Sequence, residues 1–341
     1  MIQQALQRLL DGHDLGREET REVMGEIMRG EATPVQIGAF LVALRGKGET
    51  PDEIAGCAEA MRAHVLPVRP RREDLVDTAG TGGDGAHTIN ISTAAALVAA
   101  AAGAAVAKHG NRAVSSACGS ADVLDALGFM LEQEPARIAQ SIDELGFGFL
   151  FAPAHHPAMR HAAPVRKELA TRTVFNVLGP LTNPAGARAQ VVGVYSQPLV
   201  RTIAEVLARL GARRAFVVHG AGGIDELSPV GPNLIGEVVD GSVREWELDP
   251  LVELGLPRCS VDELRGGTPA ENASAIRDVF AGADGGRRNA VLLNAAGAIA
   301  AAGHSADLRE GLELARETID SGAAAERLEQ LIAFSREAVT A

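Results

Sequence analysis

The stretch Asp77–Gly128 reads DTAGTGGDGAHTINISTAAALVAAAAGAAVAKHGNRAVSSACGSADVLDALG and decides the fold. The apolar pair Leu75-Val76 before it and the segment Ala104–Ala107 within it are typical of buried strands. Between them lie a glycine-rich loop and an apolar run, rich in alanine, that predicts a helix. This order predicts a βαβ unit. Parallel strands place both following loops at the carboxyl edge of one sheet.

These two loops carry groups that suit a phosphorylated ligand. In the first loop, Gly80, Gly82, Gly83 and Gly85 let backbone N–H groups approach an anion closely. The helix is predicted to start near Ser92 or Thr93, either of which is a good N-cap, with its positive end at the same edge. The second loop adds cations, polar groups and hydroxyls at Lys108, His109, Asn111, Arg112, Ser115, Ser116 and Ser120. Their coincidence at two strand ends favours a phosphate site over a solvated loop.

A dinucleotide site is the rival interpretation of the first loop. Gly80–Gly85 satisfies G-x-G-x-x-G and follows a predicted strand. However, His87 to Ile91 separate the third glycine from the helix. The second strand also ends in Lys108, where an NAD site needs an acid for the ribose; an NADP site could still use the cation.

Composition restricts the class of protein. The chain has 341 residues, 46% hydrophobic and 22% charged, which is ordinary for a globular enzyme of about two domains. A net charge of −12 argues against nonspecific binding of nucleic acid. The three cysteines are far apart, so neither a disulfide framework nor a zinc site is predicted. Without a signal peptide or a membrane-spanning run, we expect a cytoplasmic protein.

The order of predicted elements indicates two domains. Residues 1–69 contain four short helical patterns and no strand, and prolines and charges around residues 67–74 form a linker. In residues 70–341, strands alternate with helices, which predicts an α/β domain with a central, mostly parallel sheet flanked by helices. The segment near residues 165–185 is rich in Asn, Gly and Pro towards its end and is expected to run back through the helical domain.

Asp225 and Glu226 follow a glycine-rich turn after a predicted strand, Ala215–Val218. Adjacent carboxylates on a loop are usually solvated, but these two lie at the sheet edge that carries the phosphate loops. Carboxylate and hydroxyl oxygens are the protein ligands Mg²⁺ takes when it also binds phosphates. Asp84, the other acid near the first loop, could orient that loop or act through a magnesium-bound water.

Eight motifs resemble those of the anthranilate phosphoribosyltransferase family, a nucleoside phosphorylase-like group of phosphoribosyltransferases. They extend over nearly the whole chain: GTGGD at Gly80, NIST at Asn90, KHGNRAVSS at Lys108, GSAD at Gly119, HPAM at His156, FNVLGPLTNPA at Phe175, GIDELS at Gly223 and GGTPAENA at Gly266. The departures are Ile89, where the family has Phe, and Asn233, where Thr is commoner.

The resemblance implies transfer of phosphoribose from 5-phosphoribosyl 1-pyrophosphate (PRPP) to anthranilate in tryptophan biosynthesis, a pentosyltransferase reaction. The PRPP-binding residues it implies are Gly80, Gly82, Gly83, Asp84, Thr88, Asn90, Ile91, Ser92, Thr93, Lys108, His109, Gly110, Asn111, Arg112, Ala113, Val114, Ser115, Ser116 and Ser120. It makes Ser92, Asp225 and Glu226 the ligands of two Mg²⁺ ions that bind together with PRPP.

The same resemblance implies an anthranilate site at Gly80, Asn111, His156, Arg166 and Gly179. From the residues alone, Arg166 is either a helix-surface charge or a carboxylate clamp; the family pattern makes it the clamp, a role that the planar guanidinium suits. His156 precedes Pro157 and is a better candidate than His155 for lining the entry of the aromatic substrate. The aromatic amine is already a nucleophile, so we assign no general base.

Two other functions compete with this one. A pyrimidine nucleoside phosphorylase shares the architecture, but its glycine loop differs from GTGGD and it would not carry KHGNR. A relative that binds nucleic acid and has lost transferase activity would need a basic face, which the acidic composition disfavours. We therefore expect small-molecule substrates, no nucleic-acid or membrane partner, and a homodimer through the helical domain, as is typical of the family.

Overall fold

The computed structural model describes residues 1–113 and 117–337. Its strands form one seven-stranded sheet in the order β3-β2-β1-β4-β5-β6-β7. The strands are β1 Leu75–Gly80, β2 Ala105–Gly110, β3 Phe147–Phe151, β4 Ala189–Gly193, β5 Arg214–His219, β6 Asn233–Val239 and β7 Ser242–Leu248. The pairs from β3 to β5 are parallel, and β6 and β7 add an antiparallel edge. The predicted, mostly parallel sheet is confirmed.

Helices cover both faces of this sheet. The described α-helices are α1 Ile2–Leu10, α2 Arg17–Met28, α3 Pro34–Lys47, α4 Pro51–Ala63, α5 Ile91–Ala101, α6 Ser120–Leu127, α7 Pro135–Leu145, α8 Ala152–His155, α9 Ala163–Leu169, α10 Phe175–Leu178, α11 Pro198–Arg209, α12 Pro250–Leu254, α13 Pro269–Phe280, α14 Gly286–Ala302, α15 Leu308–Asp320 and α16 Ala323–Arg336. Short 3-10 helices cover Pro157–His161, Gly179–Leu181 and Asp262–Leu264.

Side chains that alternate along the strands contribute to two separate apolar cores. Val191 and Phe216 face a core built on α5 and α14, whereas Val192 and Val217 face a core that also contains α11 and the N-terminal helices. Successive side chains of a strand point to opposite faces, so β4, β5 and β6 each contribute to both cores. A third cluster places α7 against β2 and β3. None of the described helices is both long and apolar enough to cross a membrane.

The N-terminal helices begin where their sequence signals predict. Thr33 and Thr50 each accept the N3 backbone N–H, while the N3 side chains of Gln36 and Glu53 return a bond to the N-cap backbone. This reciprocal capping box satisfies two N–H groups that a helix start leaves without partners. Four short helices therefore precede the first strand, and the predicted small helical domain is confirmed.

One predicted helix start is wrong. The helix after the glycine loop begins at Ile91 with Asn90 as its N-cap residue, rather than at Ser92 or Thr93. The Asn90 side chain does not cap the helix, because its amide nitrogen donates to the Cys118 carbonyl and its oxygen accepts from Asn272 Nδ2. These distant partners fix Asn90, so the local preference of Ser and Thr for the N-cap does not decide where the helix starts.

The capping box of α3 gives a stability prediction. Thr33→Ala should lower the free energy of unfolding by about 1 kcal/mol, because the Gln36 N–H loses its acceptor. The unfolding midpoint should fall by roughly 2–4 °C in a calorimetric scan. Thr33→Ser keeps the hydroxyl and is the control. Equal midpoints for the two variants would contradict the assignment.

Candidate active site

The site lies where the chain reverses its direction across the sheet. The chain runs from β1 to β2 and β3 on one side and continues with β4 and β5 on the other. In such sheets ligands bind beyond the carboxyl ends of the strands at this switch point. Gly80 and Gly193 are register partners at the ends of β1 and β4. A Cβ on either glycine would overlap Asp225, so the Asp225 segment packs directly on both strand ends.

The glycine loop after β1 presents unpaired backbone N–H groups. Gly82, Gly83 and Gly85 have φ of 70°, 77° and 75°, a region that glycine adopts without strain. The Gly82 N–H donates to Asp225 Oδ2 at 2.6 Å. Among the described residues, the N–H groups of Gly83, Asp84 and Gly85 have no acceptor. Such a run of free amides suits an anion.

The start of α5 lies beside this loop. Ser92 N–H donates to Glu226 Oε1 at 3.1 Å, which places the predicted metal ligands Ser92 and Glu226 together. Ile91 and Thr93 are buried, and the Thr93 hydroxyl has no partner in the described part of the chain. Thr88 forms an isolated bridge with Arg265.

Lys108 and His109 lie within strand β2 rather than in the loop predicted for them, and Lys108 is buried. Its ammonium donates to the Thr78 carbonyl at 2.6 Å and lies 3.4 Å from Ser92 Oγ. Burial lowers the pKa of Lys108, while the carboxylates of Asp77 and Glu226 oppose that shift. In this structure Lys108 is therefore a counter-charge within the acid cluster, positioned next to the predicted metal ligands.

The loop after β2 is held by one carboxylate that we did not single out in the sequence. Asp122, at the N3 position of α6, accepts the N–H groups of Ala113 and Gly119 and pairs with Arg112 Nη1 at 2.9 Å. Ser120 Oγ binds the Asn111 backbone, and Gly110 leaves room for the Ser120 hydroxyl. The predicted residues Val114, Ser115 and Ser116 lie outside the described residues.

A pair of neutral imidazoles joins three predicted residues. His109 Nε2 lies 3.2 Å from His156 Nε2, and His109 Nδ1 lies 3.1 Å from the Gly179 carbonyl. Because a carbonyl only accepts, His109 carries its proton on Nδ1, and the Nε2 proton belongs to His156. Burial lowers the pKa of His109 to about 3 and that of His156 to about 4, so both are neutral at pH 7. His155 instead contacts the Leu66 carbonyl.

Arg166 is a half-buried cation without an acceptor. Its guanidinium carbon lies 4.9 Å from the centroid of the Phe175 ring, and burial lowers its pKa. No described residue accepts a hydrogen bond from its side chain. An unpaired, partly desolvated guanidinium is a suitable partner for a ligand carboxylate.

Asp225 and Glu226 lie in an electrostatically unfavourable position. Burial, with the carboxylates of Asp84 and Glu226, raises the pKa of Asp225 well above its usual range. Burial raises the pKa of Glu226 to about 7, although Lys108 opposes the shift. Carboxylate oxygens are hard donors, which is the kind of ligand that Mg²⁺ prefers. Within the described residues, no three or more His, Cys, Asp or Glu side chains form a ligand set by themselves.

Several residues that support the site were missed in the sequence. Buried Asp77 accepts from the His109 N–H and from Asn183 Nδ2, which ties β1 to the predicted connecting segment. Asn272 holds Asn90, and Arg172 donates to the Gly83 carbonyl. The GSAD motif contained Asp122 at a capping position, so that signal was present. The others contact residues far away along the chain.

Comparisons with known proteins identify the family of this chain. The family described as "Glycosyl transferase family, helical bundle domain" matches residues 3–65, and "Glycosyl transferase family, a/b domain" matches residues 72–325. An anthranilate phosphoribosyltransferase from Anaeromyxobacter sp. (strain Fw109-5) is 55% identical over 336 residues, covering 98% of this chain and 99% of the relative. One from Desulforudis audaxviator is 55% identical over 335 residues, covering 98% and 96%.

Solved structures give the same result. The anthranilate phosphoribosyltransferase of Thermus thermophilus has a TM-score of 0.93 at 51% identity, covering 98% of this chain and 99% of that one. The Saccharomyces cerevisiae enzyme, solved in complex with PRPP and Mg, has a TM-score of 0.89 at 28% identity, covering 98% and 97%. The chain therefore belongs to the glycosyl transferase family, as a pentosyltransferase. Within that class it is one of the anthranilate phosphoribosyltransferases, so the predicted family is confirmed.

The raised pKa of Glu226 gives a prediction for the metal-free protein. The folded state binds the Glu226 proton more tightly than the unfolded state, so stability falls as pH rises from about 4.5 to about 7. Glu226→Gln removes this penalty. At pH 8, without metal, the unfolding midpoint of the variant should exceed the wild-type midpoint by roughly 2 °C or more. At pH 5 the two midpoints should nearly coincide.

Exposed Glu132 supplies the control for this measurement. Glu132→Gln should give no pH-dependent difference in midpoint. If Glu226→Gln shows the same difference from wild type at both pH values, Glu226 does not carry the raised pKa.

Proposed function

We propose that this chain transfers phosphoribose from PRPP to the amine of anthranilate at the carboxyl edge of its sheet, which yields N-(5-phosphoribosyl)anthranilate and pyrophosphate. The main support is the juxtaposition of free loop amides with the acids Asp225 and Glu226. Phosphate groups and Mg²⁺ together satisfy both sets of groups, whereas either ligand alone satisfies only one.

The predicted PRPP residues are proposed to divide between two loops. The first contributes the N–H groups of Gly83 and Asp84, with Gly80 leaving space at the strand end and Asn90 starting the adjoining helix. Lys108, His109 and Gly110 form the end of the neighbouring strand β2, Asn111 to Ala113 follow it, and Ser120 begins α6. The organisation of this second loop by Asp122 supports a preformed site, which reduces the entropy lost on binding.

Ser92, Asp225 and Glu226 are proposed to hold Mg²⁺, with two ions bound when PRPP is present. The metal supplies positive charge next to the departing pyrophosphate. The contact between Ser92 and Glu226 and the 2.6 Å bond from Gly82 to Asp225 support this proposal, because they bring the three side chains close to the glycine loop. Burial and neighbouring carboxylates raise the pKa values of Asp225 and Glu226, which supports binding of a cation beside them.

Arg166 is proposed to bind the anthranilate carboxylate. The carboxylate would accept hydrogen bonds from the guanidinium, which donates none to the described residues. Asn111 is proposed to contact the carbonyl oxygen or the amine, while His156, Gly80 and Gly179 border the ring. The contacts of His109 with His156 and the Gly179 carbonyl support this grouping, because they bring three separate chain segments together.

The reaction requires little proton chemistry from the protein. The bond from ribosyl C1 to pyrophosphate breaks, the C1–N bond forms and the amine loses one proton. Catalysis then comes mainly from holding the two substrates in line and stabilising the leaving anion. The paired imidazoles are neutral at pH 7, and we assign neither of them as a general base.

The chain is further proposed to divide into a helical unit, residues 1–69 with a segment near 165–185, and an α/β unit, residues 70–341. Val165, Val177 and Leu178 share an apolar core with the N-terminal helices, which supports this division. Exposed Leu10, Val35 and Val42 on α1 and α3 support a homodimer through the helical unit. Light scattering tests the homodimer. The enzyme is proposed to be cytoplasmic.

One assay tests the proposed activity directly. Pyrophosphate release should require PRPP, Mg²⁺ and anthranilate together. Release of ribose phosphate from a pyrimidine nucleoside and phosphate would instead indicate a phosphorylase. No turnover with either substrate set would leave neither enzyme function standing.

Arg166 gives a substrate-specific prediction. Arg166→Ala should raise the anthranilate KM by roughly 10- to 100-fold, because a charge-assisted pair contributes about 1.5–3 kcal/mol. The PRPP KM should change little. Exposed Arg160 lies six residues earlier, and Arg160→Ala should leave both constants unchanged. Equal effects of Arg166→Ala on both substrates would remove it from the anthranilate site.

The acid pair gives a metal-specific prediction. Asp225→Asn with Glu226→Gln keeps size and removes charge, so turnover should fall by at least about 10-fold, or about 1.4 kcal/mol of transition-state stabilisation. Added Mg²⁺ should restore part of the lost turnover. The fold should survive, because the change removes a repulsive charge pair.

The exposed neighbours Asp262 and Glu263 provide a matched acid pair. Changing them to Asn and Gln should preserve turnover and its Mg²⁺ dependence. If the Asp225 and Glu226 variant behaves in the same way, the metal is held elsewhere.

A further inference from the structure

Arg172 lies against the glycine loop. Its Nη2 donates to the Gly83 carbonyl at 2.5 Å, and its guanidinium carbon lies 3.8 Å from the centroid of the Tyr195 ring. Among the residues that the structure describes, Gly83 is the one hydrogen-bond partner of this side chain. A Cβ on Gly83 would lie 3.0 Å from Arg172 Nη2, so glycine also permits this close approach.

This bond sets the direction of a free amide. The peptide between Gly83 and Asp84 is trans, so its C=O and N–H point in opposite directions. With the carbonyl held by Arg172, the Asp84 N–H points away from the arginine. A loop with three glycines at positive φ has wide conformational freedom. One fixed peptide therefore removes much of the entropy that ligand binding would otherwise have to remove.

Arg172 is itself held from two sides. Arg45 Nη1, on α3, donates to the Arg172 carbonyl at 2.7 Å. Tyr195, which carries the stacked ring, donates its N–H to Thr81 Oγ1 at 3.2 Å. Because Thr81 belongs to the glycine loop, the stacking platform and the loop are fixed to each other. The Arg172 guanidinium therefore lies between the Tyr195 ring and the Gly83 carbonyl, and the contact of Tyr195 with Thr81 limits how far these two partners can move apart.

The same chain segment carries Arg166. It lies six residues before Arg172, on α9, which ends at Leu169. The chain turns at Ala170, where φ is 46°. Phe175, three residues after Arg172 in the chain, places its ring against the Arg166 guanidinium. Movement of this segment when Arg166 meets a carboxylate would therefore reach Gly83 through Arg172.

We propose that Arg172 is a positioning residue that holds the glycine loop in shape for the pyrophosphate of PRPP and links that loop to the segment bearing Arg166. This inference rests on the proposed function. The competing role is direct binding of a phosphate by the guanidinium, in which case the Tyr195 ring and the Gly83 carbonyl would be incidental.

The primary measurement is calorimetric binding of PRPP in the presence of Mg²⁺. Arg172→Ala should weaken binding by about 10-fold, the effect of one charge-assisted hydrogen bond. Arg172→Lys keeps charge and a donor but loses the planar stack, so it should recover only part of the affinity. Arg188 also donates to a backbone carbonyl, that of Gly211, but precedes β4 at the opposite edge. Arg188→Ala should bind like wild type.

A double-variant cycle separates the two roles. If Arg172 acts by positioning, Tyr195→Leu should weaken PRPP binding, and adding Arg172→Ala should cause little further loss, because both changes release the same contact. Wild-type affinity in Arg172→Ala, or full affinity in Tyr195→Leu, would overturn the proposal. So would fully additive losses.

Benzoate tests the link between the substrates, because it has the ring and carboxylate of anthranilate but no amine. Saturating benzoate should tighten PRPP binding to the wild type and should lose that effect in Arg172→Ala, since coupling is reciprocal. Absence of coupling in wild type would overturn the link. If wild type binds no PRPP at all, the proposed function itself fails, whereas normal wild-type binding with unaffected variants defeats only the role of Arg172.

Discussion

The direct packing of the Asp225 segment on the ends of β1 and β4 is the contact on which the site depends. Gly80 and Gly193 are partners across the two strands, and any side chain on either would displace Asp225. Glycine at these two positions therefore brings a carboxylate loop and an amide loop within hydrogen-bond distance. In this way the arrangement of the sheet, through its switch point, also determines where charge accumulates.

Charge at this point is unbalanced without a ligand. Asp77, Asp225 and Glu226 all have raised pKa values, and Lys108 is the buried cation that opposes the shifts at Asp77 and Glu226. The charge of Asp77 is also balanced by hydrogen bonds from the His109 N–H and from Asn183. These bonds tie β1 to β2 and to the segment near residues 165–185. Asp225 accepts the Gly82 N–H, and Glu226 accepts the Ser92 N–H and interacts with the Ser92 side chain, and both acids are proposed metal ligands.

The sequence was most informative where the signal is local. Capping boxes at Thr33 and Thr50 and the alternation of strands with helices depend on residues close together in the chain, and these predictions were confirmed. The supporting contacts were not predictable in this way. Arg172 meets Gly83 across 89 residues and Asn272 meets Asn90 across 182. Such pairings depend on packing, which also overrode the predicted N-cap at Ser92 or Thr93.

The distribution of charge in the proposed site can direct the two anionic substrates to different positions. Among the described residues Arg166 has no hydrogen-bond acceptor, whereas Asp225 and Glu226 are buried acids with raised pKa values. If Arg166 binds anthranilate as proposed, its cation would attract the carboxylate and the acids would repel it, which would favour one orientation of the ring. PRPP, also an anion, can approach the acids only with Mg²⁺ to reverse the local sign. A metal bound at the proposed site would therefore contribute to the selection of substrates as well as to stabilisation of the leaving pyrophosphate.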